Sequence, residues 1–207
     1  DELCRYSSLL GSGVVKLIVT RGDSQRGYAA AAGATARRIL QGGPAPVYPP
    51  EHAQQGVSLF PCRTRLSEQP LLAGLKHLNR LEQVLARAEW QGGEYAEGLM
   101  LDMSGRVIEG VYSNLFLVRN GELLTADLSR CGVAGVMRAA LLEVAAREGI
   151  ALRVSELSLQ DLEQADEVFL CNSVYGIWPV RSFASLNWSP GPLTRKLQAI
   201  ARTLLDA

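Results

Sequence analysis

Lys76 is the residue of this chain whose type and position best suit covalent chemistry with a carbonyl compound. The chain has three lysines, Lys16, Lys76 and Lys196. Lys76 follows the apolar stretch LLAGL and precedes a predicted helix, and both burial and the positive potential of a helix N-terminus favour a neutral, nucleophilic amine. The sequences around Lys16 and Lys196 are typical of surface lysines. A solvated Lys76 at the entrance to a helix stays open as the alternative.

Two stretches could together bind a phosphate group. In CGVAGVMRAAL, Gly132 and Gly135 stand before a predicted helix, whose free backbone amides and dipole favour an anion. In LCNSVYG, Asn172 and Ser173 follow a predicted buried strand and could donate hydrogen bonds to the same anion. Each stretch alone is weak evidence, because glycine before a helix and polar residues after a strand are common in other proteins.

Glu109, in RVIEGVYSNLF, could stabilise a protonated aromatic ring. A carboxylate directed at a pyridine nitrogen keeps that nitrogen protonated and makes the ring an electron sink. Arg106 is the only basic residue close to Glu109 in sequence. The alternative is a solvent-facing glutamate on a strand.

The overall composition favours a small-molecule partner. The 21 acidic and 21 basic residues balance, so the charge does not point to nucleic acid or to an anionic membrane. No apolar run is long enough for a membrane span. The four cysteines are widely spaced, with no C-x-x-C pair and two histidines, which predicts reduced thiols in a cytoplasmic protein and no metal site.

Periodicity and turn residues predict the elements that must position these side chains. Short β-rich runs bounded by Gly, Pro or polar turns predict strands. These runs cover 13–20, 34–40, 56–62, 98–102, 106–110, 114–118, 122–126 and 166–171. The turn MSG joins 98–102 to 106–110, and the two form a predicted hairpin that the next two strands extend.

Apolar residues at three- and four-residue spacing predict three helices. The first begins near Arg80, with a capping box formed by Asn79 and Glu82. The other two cover 136–148 and 192–205.

A boundary between two domains is predicted in GGPAPVYPPEHAQQG, at 42–56, because a stretch so rich in proline and glycine should not form regular structure. A small N-terminal domain then covers 1–46 and a large domain covers 50–207. The chain opens on Asp1 and a short polar stretch that runs quickly into a strand, which suggests that a front portion of the small domain is missing.

Taken in order, GLKHLNRLEQVLAR, GLMLDMSGRVIEGVYSNLF, GVAGVMR and ADEVFLCNSVYGIWPV resemble the fold-type IV pyridoxal-phosphate enzymes, which include branched-chain and D-amino-acid aminotransferases and aminodeoxychorismate lyases. The resemblance runs from about residue 13 to the end, and KHLNRLEQ is most similar to the lyases. It implies a mixed α/β fold, with a nearly complete large cofactor-binding domain and the later part of a small α+β domain. It also implies a homodimer.

The resemblance implies a cofactor and residues that bind it. Lys76 would bond covalently to the aldehyde of pyridoxal 5'-phosphate, and Glu109 would pair with its ring nitrogen. The backbone amides of Val136 and Met137 would bind the phosphate. Some aminotransferases carry Thr in place of Met137, so this chain would lack one side-chain bond to the phosphate.

Further residues follow from the same resemblance. Ser173 and Asn172 would complete the phosphate site. Arg26 and Tyr28 match the position where D-amino-acid aminotransferases bind the substrate carboxylate. Arg80 could reach the phenolic oxygen of the cofactor or a substrate carboxylate, and the sequence leaves that choice open. A phosphate-binding arginine of the family would lie in the missing front portion.

The resemblance implies a lyase that converts 4-amino-4-deoxychorismate into 4-aminobenzoate and pyruvate. Two alternatives remain on sequence alone: an amino-acid aminotransferase of the same group, and a non-catalytic domain that keeps the fold without the cofactor.

Overall fold

The computed structural model describes residues 2–10 and 13–205. The outer domain bounds predicted at residues 1 and 207 lie outside the described residues. The chain divides into two compact units, Asp1–Tyr48 and Pro49–Ala207.

The first unit consists of one helix and a two-stranded sheet. The helix is α1, Glu2–Leu10, and the strands are β1, Val14–Thr20, and β2, Arg37–Gly43. The strands are antiparallel, with Val14 opposite Gly43 and Thr20 opposite Arg37. Both strands were predicted, although β2 begins and ends three residues later than the predicted 34–40, and α1 was not predicted.

The second unit is built on a nine-stranded mixed sheet. Its strands are β3 Val57–Leu66, β4 Glu97–Asp102, β5 Val107–Gly110, β6 Asn114–Arg119, β7 Glu122–Ala126, β8 Leu152–Ser155, β9 Glu167–Asn172, β10 Gly176–Phe183 and β11 Leu186–Asn187. The pairings β3 to β4, β4 to β5, β5 to β6, β6 to β9, β9 to β10 and β10 to β3 return to their starting strand. This closed ring leaves no unpaired edge among its members, while β7, β8 and β11 extend it outwards.

Five helices accompany this sheet: α2 Pro50–Gln54, α3 Leu81–Arg87, α4 Val136–Arg147, α5 Leu159–Glu163 and α6 Pro192–Leu205. Helices α4 and α6 pack on strands of the ring through one apolar core. This core contains Phe116, Val118, Leu123, Met137, Leu141, Val144, Ala145, Phe169, Cys171, Ile177, Leu197 and Ala201. None of the helices in the described part of the chain is long and apolar enough to cross a membrane.

Two local predictions are wrong. The segment 42–56 contains the end of β2 and all of α2, because Pro50 has the fixed φ that suits a first helical turn. The predicted capping box at α3 does not form, since Arg80 is the N-cap residue and has no side-chain capping bond. The carboxylate of Glu82 instead accepts the backbone N–H of Ser67 at 3.0 Å.

Glu167 of β9 connects this strand to the first turn of α6. This carboxylate is 6% exposed and accepts the N–H groups of Leu193 and Thr194, in the first turn of α6, at 3.1 and 2.7 Å. It satisfies helix amides that would otherwise be buried without a partner, and its negative charge suits the positive helix end.

We expect Glu167→Ala to lower the free energy of unfolding by about 1 to 3 kcal/mol, because buried N–H groups lose their acceptor. Urea unfolding measures the change. Glu163→Ala, at an exposed position on α5, is the matched control and should have little effect. Equal stability of the two variants would contradict this role of Glu167.

Candidate active site around Lys76 and Glu109

Lys76 lies in an irregular segment, 75–80, that is held by hydrogen bonds on both sides of it. On the N-terminal side, Gly74 forms a parallel bridge with the loop before α4: Gly74 N donates to Gly132 O, and Ala134 N donates to Gly74 O, both at 3.0 Å. On the C-terminal side, Arg80 donates to the carbonyl oxygens of Leu75 and His77, at 2.6 and 2.9 Å. The backbone around Lys76 is therefore fixed while its side chain stays free to move.

The sequence argument for a buried Lys76 beside a helix is wrong. The side chain of Lys76 is exposed, and α3 begins only at Leu81. Its amine is positioned by backbone anchors rather than by an apolar environment.

Glu109 is buried, so the alternative of a solvent-facing strand residue is wrong. It is 3% exposed and lies on β5 opposite Asn114 of β6. Its Oε2 atom accepts the N–H of Val133 at 2.9 Å and the side-chain amide of Asn114 at 3.3 Å. Both donors bind the same oxygen, and Oε1 accepts no hydrogen bond from any residue in the described ranges. This leaves one carboxylate oxygen for a donor that is not part of the chain.

The charge state of Glu109 depends on burial and on nearby cations. Burial raises the pKa of Glu109 to about 7, while the N–H of Val133 and the positive charges of Arg80, Lys76 and Arg138 act in the opposite direction. Arg106, its neighbour in sequence, instead pairs with Asp102, Glu68 and Glu156. Lys76 and Arg80 therefore lie within electrostatic reach of Glu109 although they are distant in sequence.

Asn114 connects Glu109 to the loop before α4, and the sequence reasoning missed it. Besides Glu109, its side-chain amide donates to the carbonyl oxygen of Val133 at 2.7 Å. A Cβ atom at Gly135 would collide with Asn114 Oδ1, so glycine is required there for this close approach. The available signal was an asparagine at the first position of a predicted strand directly after a turn.

The N-terminus of α4 has no side-chain cap. Its N-cap residue, Gly135, forms no side-chain capping bond, so the first N–H groups of the helix have no partner from a cap. The side chain of Val136 is exposed, whereas Met137 is buried in the core. Their backbone N–H groups can donate hydrogen bonds to an anion, and the helix dipole adds to the attraction.

Arg138 adds a buried positive charge in the same helical turn, and it too was missed. It is 8% exposed and donates to the carbonyl oxygen of Ala126 at 2.8 Å. Burial lowers the pKa of Arg138, and nearby acidic groups act in the opposite direction. Its spacing from Leu141 and Ala145 places it on the buried face of α4, and this spacing was a readable signal.

Asn172 and Ser173, which follow one another at the end of β9, differ in the hydrogen bonds that their side chains form. The Oδ1 atom of Asn172 accepts the N–H groups of Val174 and Tyr175 at 2.9 and 3.0 Å, and its amide donates to Tyr112 O at 3.3 Å. The Oδ1 atom of Asn172 thus builds the turn between β9 and β10, and its contribution to phosphate binding through the side-chain amide stays a prediction. Ser173 is exposed in that turn. Cys171, the residue before Asn172, is paired with Asn114 of β6. Because Asn114 also lies directly against Gly135, the end of β9 is close to the N-terminus of α4.

A shallow depression of about 360 Å³, widely open to solvent and here called the cavity, lies beside Lys76. Its lining consists of Lys76, Arg80, Gln83, Val84, Arg87, Val111 and Tyr112 and includes no carboxylate from the described residues. Such a lining suits an anionic ligand with an apolar ring.

The donor set fits pyridoxal phosphate. The exposed amine of Lys76 can reach an aldehyde, Glu109 Oε1 is open to a ring N–H, and the uncapped α4 can bind a phosphate. Among the described residues, no cluster of three or more His, Cys, Asp or Glu side chains could hold a metal ion.

Arg26 and Tyr28 lie in the first unit, between β1 and β2. Both side chains are exposed, and they flank Gly27, whose φ of 100° is positive. Their contribution to substrate binding stays a prediction.

Comparisons with known proteins give consistent results. The family model described as "Amino-transferase class IV" matches residues 2–183. The aminodeoxychorismate lyase of Vibrio harveyi is 39% identical over 193 residues, which are 91% of this chain and 71% of that protein.

Solved structures show the same fold. The structure of 4-amino-4-deoxychorismate lyase from Pseudomonas aeruginosa superposes with a TM-score of 0.96 and 62% identity, over 100% of this chain and 76% of that one. A branched-chain aminotransferase from Thermobaculum terrenum, solved in its PLP form, gives a TM-score of 0.76 at 24% identity, over 92% of this chain and 64% of that one. The second likeness shows the fold alone.

The raised pKa of Glu109 predicts a pH-dependent stability of the protein without cofactor. The folded state holds this proton more tightly than the unfolded state, whose pKa is near 4.5, so the free energy of unfolding falls as pH rises from about 4.5 to about 7. Glu109→Gln removes this contribution and should make the slope shallower. Glu97, whose pKa burial also raises to about 7, keeps part of the slope. Urea unfolding across this pH range measures the effect, with the exposed Glu163→Gln as control; an unchanged slope in Glu109→Gln would contradict the burial argument.

Proposed function

Because the chain belongs to the amino-transferase class IV family, we propose that it is a pyridoxal-phosphate-dependent lyase that converts 4-amino-4-deoxychorismate into 4-aminobenzoate and pyruvate. One observation carries the proposal: a buried Glu109 with one open carboxylate oxygen lies within electrostatic reach of Lys76 and Arg80. The names of the relatives in Vibrio harveyi and Pseudomonas aeruginosa support the lyase reaction over transamination.

Pyridoxal phosphate, when bound, supplies a protonated ring that withdraws electrons from the carbon bearing the substrate amine. Glu109 Oε1 accepts the hydrogen bond of the ring N–H and keeps that proton in place. The first N–H groups of α4, at Val136 and Met137, bind the phosphate together with the Ser173 hydroxyl. Arg138 strengthens this anion site from the buried face of the helix.

Lys76 has two tasks in this proposal. Its amine would hold the aldehyde of the cofactor, and in the reaction it would act as the general base for the ring proton on the amine-bearing carbon of the substrate. Cleavage of the bond between the adjacent ring carbon and the enolpyruvyl oxygen would make the ring aromatic and release enolpyruvate, which becomes pyruvate by taking up one proton, equal in number to the proton that Lys76 removed. The bonds at Gly74 and Arg80 hold the backbone on both sides of Lys76, while its exposed side chain can change position between the two tasks.

The remaining residues bind or position the substrate. Arg80 lines the cavity, but two of its donors are occupied by backbone carbonyls, so we assign it to positioning Lys76 and to providing positive potential. Arg26 and Tyr28 are proposed to bind a substrate carboxylate.

We take Pro49–Ala207 as the cofactor-binding domain and Asp1–Tyr48 as part of a small domain. The product 4-aminobenzoate is a folate precursor, and we propose a cytoplasmic location, which the four free cysteines support.

Lys76→Ala should abolish both the visible absorbance of the bound cofactor and pyruvate formation, because no other side chain can replace its amine. Lys16→Ala, at an exposed position of β1, is the control and should retain both. Pyruvate formation by Lys76→Ala would contradict the assignment. Incubation with an amino acid and a keto acid separates the alternatives, since only an aminotransferase would exchange the amino group; a protein with no cofactor absorbance at all would be a non-catalytic domain.

We also propose that the protein is a homodimer. Apolar side chains are exposed over the segment 71–85, here called the apolar surface. They are Leu71, Leu72, Leu75, Leu78, Leu81, Val84 and Leu85, with exposed fractions from 41% to 87%. An apolar patch of this extent is typical of a protein interface.

Leu78→Glu should convert the dimer into a monomer, because a carboxylate in an apolar interface loses its hydration. Sedimentation velocity measures the assembly state. Leu159→Glu, which is also exposed but lies on α5, should remain dimeric. A dimeric Leu78→Glu would show that the apolar surface is not the interface.

A further inference from the structure

Glu97 is a fully buried carboxyl that the proposed reaction does not use. It is the first residue of β4 and has an exposed fraction of 0%. Burying a carboxylate is costly unless its oxygens are satisfied by donors, so such a residue in a strand is rarely neutral for function. No ion pair among the described residues involves Glu97.

Four donors surround this carboxyl. Its Oε1 atom accepts the N–H groups of Gly98 and Val111, at 2.9 and 3.0 Å. Its Oε2 atom accepts the N–H of Tyr112 at 3.3 Å and the hydroxyl of Ser113 at 2.8 Å. Three of the four belong to consecutive residues, so Glu97 fixes the conformation of one short segment.

That segment, 110–113, joins the two strands that form the centre of the site. It begins at Gly110, the last residue of β5, directly after Glu109, and ends before Asn114, the first residue of β6. Glu109 and Asn114 are opposite each other in the sheet. Its residues Val111 and Tyr112 also line the cavity beside Lys76. A change in this segment would therefore move Glu109, its donor Asn114 and one cavity wall together.

The packing around Glu97 leaves little room for an alternative conformation. A Cβ atom at Gly110 would collide with Ser113 Oγ and would lie 3.0 Å from the Glu97 carboxyl. A carboxylate presents only acceptors to its four donors, whereas a glutamine amide would point N–H groups at the N–H of Tyr112. A side chain with the shape of glutamate but without its second acceptor oxygen therefore cannot satisfy all four donors.

We propose that Glu97 is a positioning residue of the active site, which holds the segment 110–113 so that Glu109 and the cavity wall keep the geometry that the cofactor requires. The part of this statement that concerns the cofactor rests on the proposed function. The part that concerns the segment does not.

Asp102 provides a matched control at the other end of β4. It is also 0% exposed, and it holds the turn between β4 and β5 by accepting the N–H groups of Ser104 and Arg106, at 3.0 and 2.9 Å. Asp102→Asn should cost stability, as Glu97→Gln should, but it acts on a turn that does not line the cavity beside Lys76.

The experiment compares Glu97→Gln, Asp102→Asn and the unchanged protein by two measurements. Hydrogen–deuterium exchange without cofactor reports on the segments locally, and we expect faster exchange at 111–112 in Glu97→Gln and at 103–106 in Asp102→Asn. Titration with pyridoxal phosphate should show an affinity lower by about ten- to a hundredfold in Glu97→Gln only, because small misplacements at a site have effects of this size.

Three results would overturn the proposal: unchanged exchange at 111–112 in Glu97→Gln, unchanged cofactor affinity in that variant, or an equal loss of affinity in Asp102→Asn. If Glu97→Gln does not fold, Ser113→Ala removes one of the four bonds and should show a smaller change of the same kind in both measurements. No change in Ser113→Ala would then also overturn it. Failure of the unchanged protein to bind pyridoxal phosphate would refute the proposed function, while the exchange data would still decide what Glu97 does.

Discussion

The site depends on a glutamate carboxyl that is buried in a sheet with only one of its oxygens satisfied by the protein. Glu109 receives both of its hydrogen bonds on Oε2, from Val133 and Asn114. These donors fix the direction of the carboxyl and leave Oε1 for the ring nitrogen of the cofactor that we propose. Cations at Lys76, Arg80 and Arg138 offset part of the desolvation. Because Glu109 is only 3% exposed, these charges act on it more strongly than they would in water.

The two reactive groups are placed by different means. Glu109 is held by its strand and by burial, so its side chain is rigid. Lys76 is held by backbone hydrogen bonds on both sides, and its exposed side chain keeps its freedom. This difference suits the proposed chemistry, in which the carboxyl keeps one role while the amine takes two in succession.

The sequence predicted the elements better than it predicted the environment of the side chains. The stretches 136–148 and 192–205 were predicted as helices, and α4 and α6 form there because apolar residues of both pack into one core. The hydrogen bonds near Lys76 were harder to predict. Asn79 and Glu82 match the pattern of a capping box, but the carboxylate of Glu82 accepts the N–H of Ser67, which is distant in sequence, instead. The turn that Asn172 Oδ1 builds with Val174 and Tyr175 was likewise not predicted from the sequence.

Roles that depend on distant contacts were not readable from local patterns. The burial of Glu109 and the bridging by Asn114 arise from strand pairing and from the loop before α4, and no spacing rule encodes them. The sequence around Glu97 contains no motif, yet the fold collects four donors around it. The identity of the site came from resemblance, whereas the reasons for its geometry came from the structure.

The parallel bridge between Gly74 and Val133 has a consequence for how the protein is made. The segment that carries Lys76 has no regular structure of its own and is anchored on one side by a loop that lies much later in the chain. During synthesis on the ribosome, the lysine therefore emerges well before its support exists, and contacts between distant segments form late in folding. The nascent chain cannot assemble a competent site until the residues around Val133 have left the exit tunnel.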